Sequence, residues 1–331
     1  MRDSQAMNPE RPVQRKFSIR SAAAALALIA AIALFDQWLA SLPNRVEFGS
    51  RTARVEFRPV VLDRGTIAPL TLAGAWQLTS DDPRFGGVSA LAIDGGQILA
   101  LTDSGALIRF SPPGGRFGTA RIGELPDGPG SGAFKRYRDS EALVRDRRTG
   151  GWWVAFENRH ELWLYDQEFG RPLRRVELGR KRWRANRGIE GAALDGGVLL
   201  LFHESGDRLL RIVGTRARRI RITGSRGRIS DVVALGEGRF LAIERRLTPL
   251  GFRNALVTVE KAGSGYRFGR RIALPLDRQD NAEAIAVERL PNGSRRLWVM
   301  TDDNFQPPLR TLLIALDFRA GSSGGEWLGK G

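Results

Sequence analysis

Beyond its N-terminal region the chain alternates short apolar runs with turns rich in Gly, Asn, Asp and Pro. The clearest unit is Asn281-Ala282-Glu283-Ala284-Ile285-Ala286-Val287, a Pro291-Asn292-Gly293 turn, then Leu297-Trp298-Val299-Met300-Thr301-Asp302-Asp303-Asn304. Two apolar runs around such a turn read as a β-hairpin. In antiparallel register the start of the first strand lies beside the end of the second, so Glu283 and Asp302 are placed together at one end. The unit recurs. Ser89 and Asp103 flank Asp94-Gly95-Gly96, Glu141 and Glu157 flank Thr149-Gly150-Gly151, Glu190 and Glu204 flank Asp195-Gly196-Gly197, and Asp231 and Glu244 flank Gly236-Glu237-Gly238.

A repeat of about 41 to 52 residues carried by short strands is the signature of a β-propeller. The expected fold is all-β, with five countable blades. Residues 46–63 read as a strand or hairpin that can belong to a sixth. Residues 72–79 read as an N-terminal strand that supplies the outer strand of the last blade and closes the ring, removing the exposed sheet edges. The propeller is expected over residues 43–319, with a Gly/Ser-rich disordered tail at 320–331. Trp152, Trp153 and Trp163 are expected in the packing between blades.

Residues 1–20 are polar and basic and residues 21–35 are an unbroken small and apolar run. This is the layout of a secretory signal. Extending the run to residue 42 gives a length that can anchor in a membrane, so residues 1–42 read as a signal peptide or a signal-anchor helix. Either way the globular part is expected outside the cytoplasm, periplasmic or exported, or held at the inner membrane by residues 21–42.

The chain has no cysteine and two histidines, which excludes disulfides, thiolate zinc and a thiol nucleophile. The net charge is +16, and it is concentrated in a basic sector over residues 171–228. Such a sector faces a polyanionic substrate or an anionic membrane surface. No nucleic-acid recognition motif is present, and export removes that partner.

Like charges opposite one another on a hairpin are destabilising, so acids gathered at one mouth need a partner. Bound cations, nearby arginines or protonation can each serve, and carboxylate oxygens suit calcium or magnesium. The structural alternative is that the acids tie blade to blade. The candidate metal ligands are Asp103, Glu141, Glu157, Glu204, Asp231, Glu244 and Asp302. Glu190 and Glu283 are the candidate catalytic carboxylates. Arg245, Arg246 and Arg310 are the candidate contacts for an anionic or phosphorylated substrate, since arginine binds phosphate bidentately. Asn186, Asn281 and Asn304 can orient it. His203 reads as a packed strand residue. Loops at the same end, residues 123–138, 244–253 and 303–310, are where binding is expected.

The stretches Phe85-Gly86-Gly87-Val88-Ser89, Asp139-Ser140-Glu141-Ala142-Leu143, Asn186-Arg187-Gly188-Ile189-Glu190-Gly191, Ile243-Glu244-Arg245-Arg246, Asn281-Ala282-Glu283-Ala284 and Thr301-Asp302-Asp303-Asn304-Phe305 resemble the phytase-like family, also named for esterase-like activity of phytase. The resemblance spans roughly residues 65 to 318. It implies an exported, propeller-like domain and phosphoester or ester hydrolysis. Ser89 breaks the acid pattern, and the calcium-site pattern of the β-propeller phytases is not found. The expected function is thus a metal-dependent phosphoester or ester hydrolase with calcium as the expected cation. The alternative is a non-catalytic propeller of the cell envelope that binds a polyanion, a glycan or a partner protein.

Overall fold

A computed structural model of the chain describes residue 44 and residues 49–62, 67–179 and 187–318. The expected signal or anchor segment, the tail at 320–331 and Asn186 lie outside the described residues. Among the described residues no helix is long and apolar enough to cross a membrane.

The architecture is a ring of four-stranded antiparallel blades. Two strands precede the first repeat, β1 (Arg51–Pro59) and β2 (Thr71–Ser80). Blade one is β3 (Val88–Asp94), β4 (Gln97–Thr102), β5 (Ala106–Phe110) and β6 (Phe117–Glu124). Blade two is β7 (Ser140–Arg145), β8 (Trp152–Phe156), β9 (Glu161–Tyr165) and β10 (Pro172–Glu177). Blade three is β11 (Ile189–Asp195), β12 (Val198–His203), β13 (Leu209–Val213) and β14 (Arg216–Ile220). After the short β15 (Ile222–Thr223), blade four is β16 (Arg228–Gly236), β17 (Arg239–Thr248), β18 (Gly251–Ala262) and β19 (Gly265–Ala273). Blade five is β20 (Asn281–Arg289), β21 (Arg295–Asp302) and β22 (Leu312–Phe318), completed by β2, which pairs with β22.

The inner strands β3, β7, β11, β16 and β20 touch in cyclic order and β20 returns to β3, so the ring has five blades. The strand expected to close it does so, at Trp76↔Leu313 and its neighbours. Residues 51–59 do not begin a sixth blade. β1 lies between β2 and β6, the outer strands of blades five and one, and joins both blades into one nine-stranded sheet.

Alternation explains the core. Strands of a propeller are covered on both faces, so successive side chains pack against opposite neighbours. On β8, Trp152, Val154 and Phe156 pack with blade one, whereas Trp153 and Ala155 pack with blade three. The buried apolar residues divide into layers, one for each junction between blades. The three tryptophans expected there are buried in two of them.

Candidate functional site

Each inner strand carries a β-bulge at the same place, near its first residues. The extra residue is Ser89, Glu141, Glu190, Ser230 and Glu283 in blades one to five. A bulge bends the strand and re-aims the side chain it inserts. The end of the second strand supplies a second tier at the same level: Asp103, Glu157, Glu204, Arg245 and Asp302. A third tier precedes the bulge by two residues: Gly87, Asp139, Gly188, Arg228 and Asn281. Together they form a rim at one end of the inner strands, the mouth of the ring.

Blade two is the densest part. Carboxylate oxygens of Asp139, Glu141 and Glu157 lie within 4.8 Å of one another. Lys135, in the loop that precedes the blade, donates to Asp139 Oδ1 at 2.9 Å and to Asp103 Oδ2 at 2.8 Å. Asn158 also donates to Asp139. Arg245 of blade four pairs with Glu283 and with Asn281 of blade five, and Asn281 Nδ2 donates to Glu283 Oε1 at 2.7 Å. Glu204 is paired with Arg228 at 3.0 Å and with Arg187 at 3.6 Å. Glu141 and Glu190 form no hydrogen bond or ion pair among the described residues.

Two glycines make room for this arrangement. A Cβ on Gly188 would stand 2.5 Å from Glu157 Cγ, and one on Gly87 would stand 2.8 Å from Asp103 Oδ1. Gly87 also has φ +58, where glycine is favoured.

Burial and mutual repulsion raise the proton affinity of the cluster. Burial, then the Glu190 and Asp139 charges, hold Glu141 well above the usual carboxylate range. Burial and the Glu157 charge do the same to Glu190, against the pull of Arg245. Glu157 is pushed up to about 8 by burial and Asp139, and Asp302 to about 7 by burial and Asp103. Lys135, although burial opposes its charge, is held well above the usual lysine value by Asp139, Asp103 and Glu141.

A family model described as "Phytase-like: Esterase-like activity of phytase" matches residues 83–305. The chain belongs to this phytase-like family. Every tier of the rim from Gly87 to Asp302 falls within the family's match. Among solved structures the phytase-like chain is similar to Myxococcus xanthus glutaminyl cyclase, at 12% identity and a TM-score of 0.46 over 79% of this chain and 98% of that one. A putative gluconolactonase is 12% identical with a TM-score of 0.44, over 82% of this chain and 93% of that one. Kuenenia stuttgartiensis hydrazine synthase is 12% identical with a TM-score of 0.39, and 68% of this chain covers 59% of that one. Likeness of this degree concerns the fold and carries no functional argument. The comparison with curated proteins gives no match.

The structure gathers most of the candidate residues but not all. Asp103, Glu141, Glu157, Glu190, Glu204, Glu283, Asp302 and Arg245 meet at the mouth. Asp231 and Glu244 do not. In blade four the bulge falls at Ser230, so Asp231 is one residue past it and turns to the other side of the strand. There it is buried, accepts from Val232 N at 2.7 Å and Ile285 N at 2.9 Å, and ties blade four to blade five. Glu244 is bound by Arg271 Nε at 2.6 Å and by the Arg226 and Gly227 amides within its own blade. Arg310 is held bidentately by Asp280 and by Asp277 rather than presented to a ligand. Arg246 is exposed on the β17–β18 hairpin. Asn304 is exposed, and its backbone N–H donates to Asp302 Oδ1 at 2.7 Å. His203 is buried in its strand end, as expected.

Sequence reasoning did not single out Lys135, Asp139 or Asp303. Asp139 had a signal, since it stands two residues before Glu141 and therefore on the same side of the strand. Asp303 accepts from Gly87 N at 3.1 Å and Phe305 N at 3.0 Å and fastens the loop of blade five onto blade one. Among the described residues the basic sector does not line the mouth as a block: Arg174, Arg175, Arg216, Arg218 and Arg219 lie on the outer strands β10 and β14, while Arg187 and Arg228 reach the rim.

Proposed function

We propose that the mouth is the active site of an exported hydrolase of phosphoesters or related esters that works with a divalent cation. The observation that carries this reading is the convergence of Asp139, Glu141 and Glu157 oxygens within 4.8 Å, with Lys135 as their one contacting cation among the described residues. Three carboxylates held this close repel one another unless a positive charge stands among them. Asp103 Oδ1 is also buried without a hydrogen-bond partner. The donors are hard oxygens, a set that fits calcium or magnesium.

Asp139, Glu141 and Glu157 would hold the cation. When bound, such a cation polarises a phosphoryl or carbonyl oxygen and lowers the pKa of bound water. Glu190 stands beside this cluster, and burial with the Glu157 charge raises its proton affinity above that of an ordinary carboxylate, the direction a general acid–base needs. Arg245 presents a fixed positive charge to an anionic substrate, while Glu283 and Asn281 position it. Lys135 clamps Asp103 to Asp139 and keeps blades one and two in register at the rim. The envelope location follows the expectation for residues 1–42 and belongs to the same proposal.

The test uses the full chain, stripped with a chelator and analysed for metal. Hydrolysis of p-nitrophenyl phosphate and p-nitrophenyl acetate is then followed as calcium, magnesium or manganese is restored. Turnover that depends on a cation and falls roughly 100-fold or more in Glu190→Gln is expected. Absence of cation binding and of turnover with either ester would favour a non-catalytic propeller that binds a polyanion, glycan or partner protein.

A further inference from the structure

The β17–β18 hairpin is longer than the blade requires. Arg245 stands at the level of Asp103, Glu157, Glu204 and Asp302. The strands nevertheless stay paired through Arg246↔Arg253 and Leu247↔Phe252 to Thr248↔Gly251. These rungs project past the mouth. The tip is fixed: Thr248 Oγ1 donates to Gly251 O at 2.7 Å and accepts from Leu250 N at 3.3 Å. Leu247 and Leu250 are 76% and 73% exposed there. One rung below Leu247, Arg246 and Arg253 oppose each other, both exposed and neither hydrogen-bonded nor ion-paired among the described residues. Two like charges on one rung are unfavourable, and no carboxylate of the hairpin relieves them.

Asn44 is pinned at the same face: its amide donates to Ala133 O at 2.8 Å, and its side chain donates to Ser104 O and Gly132 O at 3.0 Å each. Ser104 directly follows Asp103 of the rim. In the sequence, the apolar segment expected to meet a membrane ends at residue 42, two positions before Asn44. Beside this attachment Phe134 is 37% exposed, an apolar side chain of the kind that interfacial segments bury at the headgroup–acyl boundary.

The geometry points to an anionic phospholipid bilayer as the surface on which this mouth docks, with Leu247 and Leu250 in the headgroup–acyl boundary and Arg246 and Arg253 on lipid phosphates. Leu247 follows Arg246 by one rung toward the tip, about 3.4 Å along the strand. Apolar tips above basic flanks bind such surfaces through buried area and charge together. This inference stands apart from the catalytic reading, because docking does not need turnover.

The chain has no cysteine, so a single label is clean. Leu250→Cys carries a polarity-sensitive fluorophore, and Asn292→Cys, in the turn at the opposite end of blade five, carries the same one as reference. The full chain is combined with vesicles of phosphatidylcholine, with and without phosphatidylglycerol, and matching thermal melts establish that the variants fold. With phosphatidylglycerol the label at 250 is expected to shift to the blue and to be quenched by shallow spin-labelled lipid, while the label at 292 stays in water. Adding R246E/R253E is expected to reduce the quenching severalfold. A label at 250 as water-exposed as that at 292 overturns the proposal. So does a shift that needs no vesicles and grows with protein concentration, since the occupant is then a second copy. Undiminished quenching with R246E/R253E overturns the lipid-phosphate contact.

Discussion

Arg245 occupies the place that four other blades give to a carboxylate, and a single cation there changes what its neighbours do. It holds Glu283 and Asn281 and lies in the field of Glu190, Asp302 and Glu141. R245Q is expected to lower kcat/KM for a phosphomonoester by about 10- to 100-fold, the scale of one lost charge-assisted hydrogen bond. The loss should be smaller with a neutral ester, and steady-state kinetics on both substrates reads the difference. Asp231 and Glu141 make the converse comparison. Asp231→Ala leaves the amides of Val232 and Ile285 without their acceptor in a buried place, which costs about 2–4 kcal/mol. Chemical denaturation should show that loss, with calcium binding unaltered in calorimetry. Glu141→Gln should do the reverse, weakening calcium at least tenfold while the metal-free protein loses no stability.

At the scale of the strand, the bulge decides which residues meet. Its position explains why the ring was legible in four repeats and misread in one. Repeats one, two, three and five run Ser89-Ala90-Leu91, Glu141-Ala142-Leu143, Glu190-Gly191-Ala192 and Glu283-Ala284-Ile285, a bulge residue, a small residue, then an apolar one. Repeat four runs Ser230-Asp231-Val232, so the apolar pattern already aligns Ser230 with the glutamates. Acid spacing alone selected Asp231 and Glu244, each one residue out of step, and one residue reverses the face of a strand. Loop contributions such as Lys135 had no periodic signal at all. Gly188 tests the same geometry from the backbone side. An added methyl group would stand 2.5 Å from Glu157 Cγ and displace that carboxylate. Gly188→Ala is therefore expected to weaken cation binding by about 10- to 100-fold, as the loss of a supporting contact does. Titration calorimetry on the folded variant measures it.

For the molecule as a whole, closing the ring through β2 forces the first residues of five strands into one small circle, and the acids there have nowhere to separate. The hairpin repeats made that circle legible. The insertion of β1 between blades five and one was not, because a lone strand does not announce a partner distant in sequence. The circle has a consequence for stability against pH. Glu157 rises from 4.5 to about 8 and Asp302 from 3.8 to about 7 in the fold, with burial the leading cause and neighbouring carboxylates the next. Asp231 is raised in the same direction by burial. For such groups the folded state binds more protons than the unfolded chain, so stability falls as pH rises. Their contribution is complete below the ordinary carboxylate values and is lost as pH climbs through about 7 to 8. The opposite sign holds for Asp82, where burial is outweighed by Arg84 and Arg51, and for Glu244, where it is outweighed by Arg271. These groups lose their contribution only as pH falls below the ordinary range. The metal-free melting temperature should therefore peak near pH 5 and decline toward pH 9. A bound divalent cation compensates the ionised cluster, so the increase in melting temperature on adding calcium should be larger at pH 8 than at pH 5. The combined variant E141Q/E157Q should flatten the decline and remove the calcium increment at both values, and a calorimetric scan across pH compares the three.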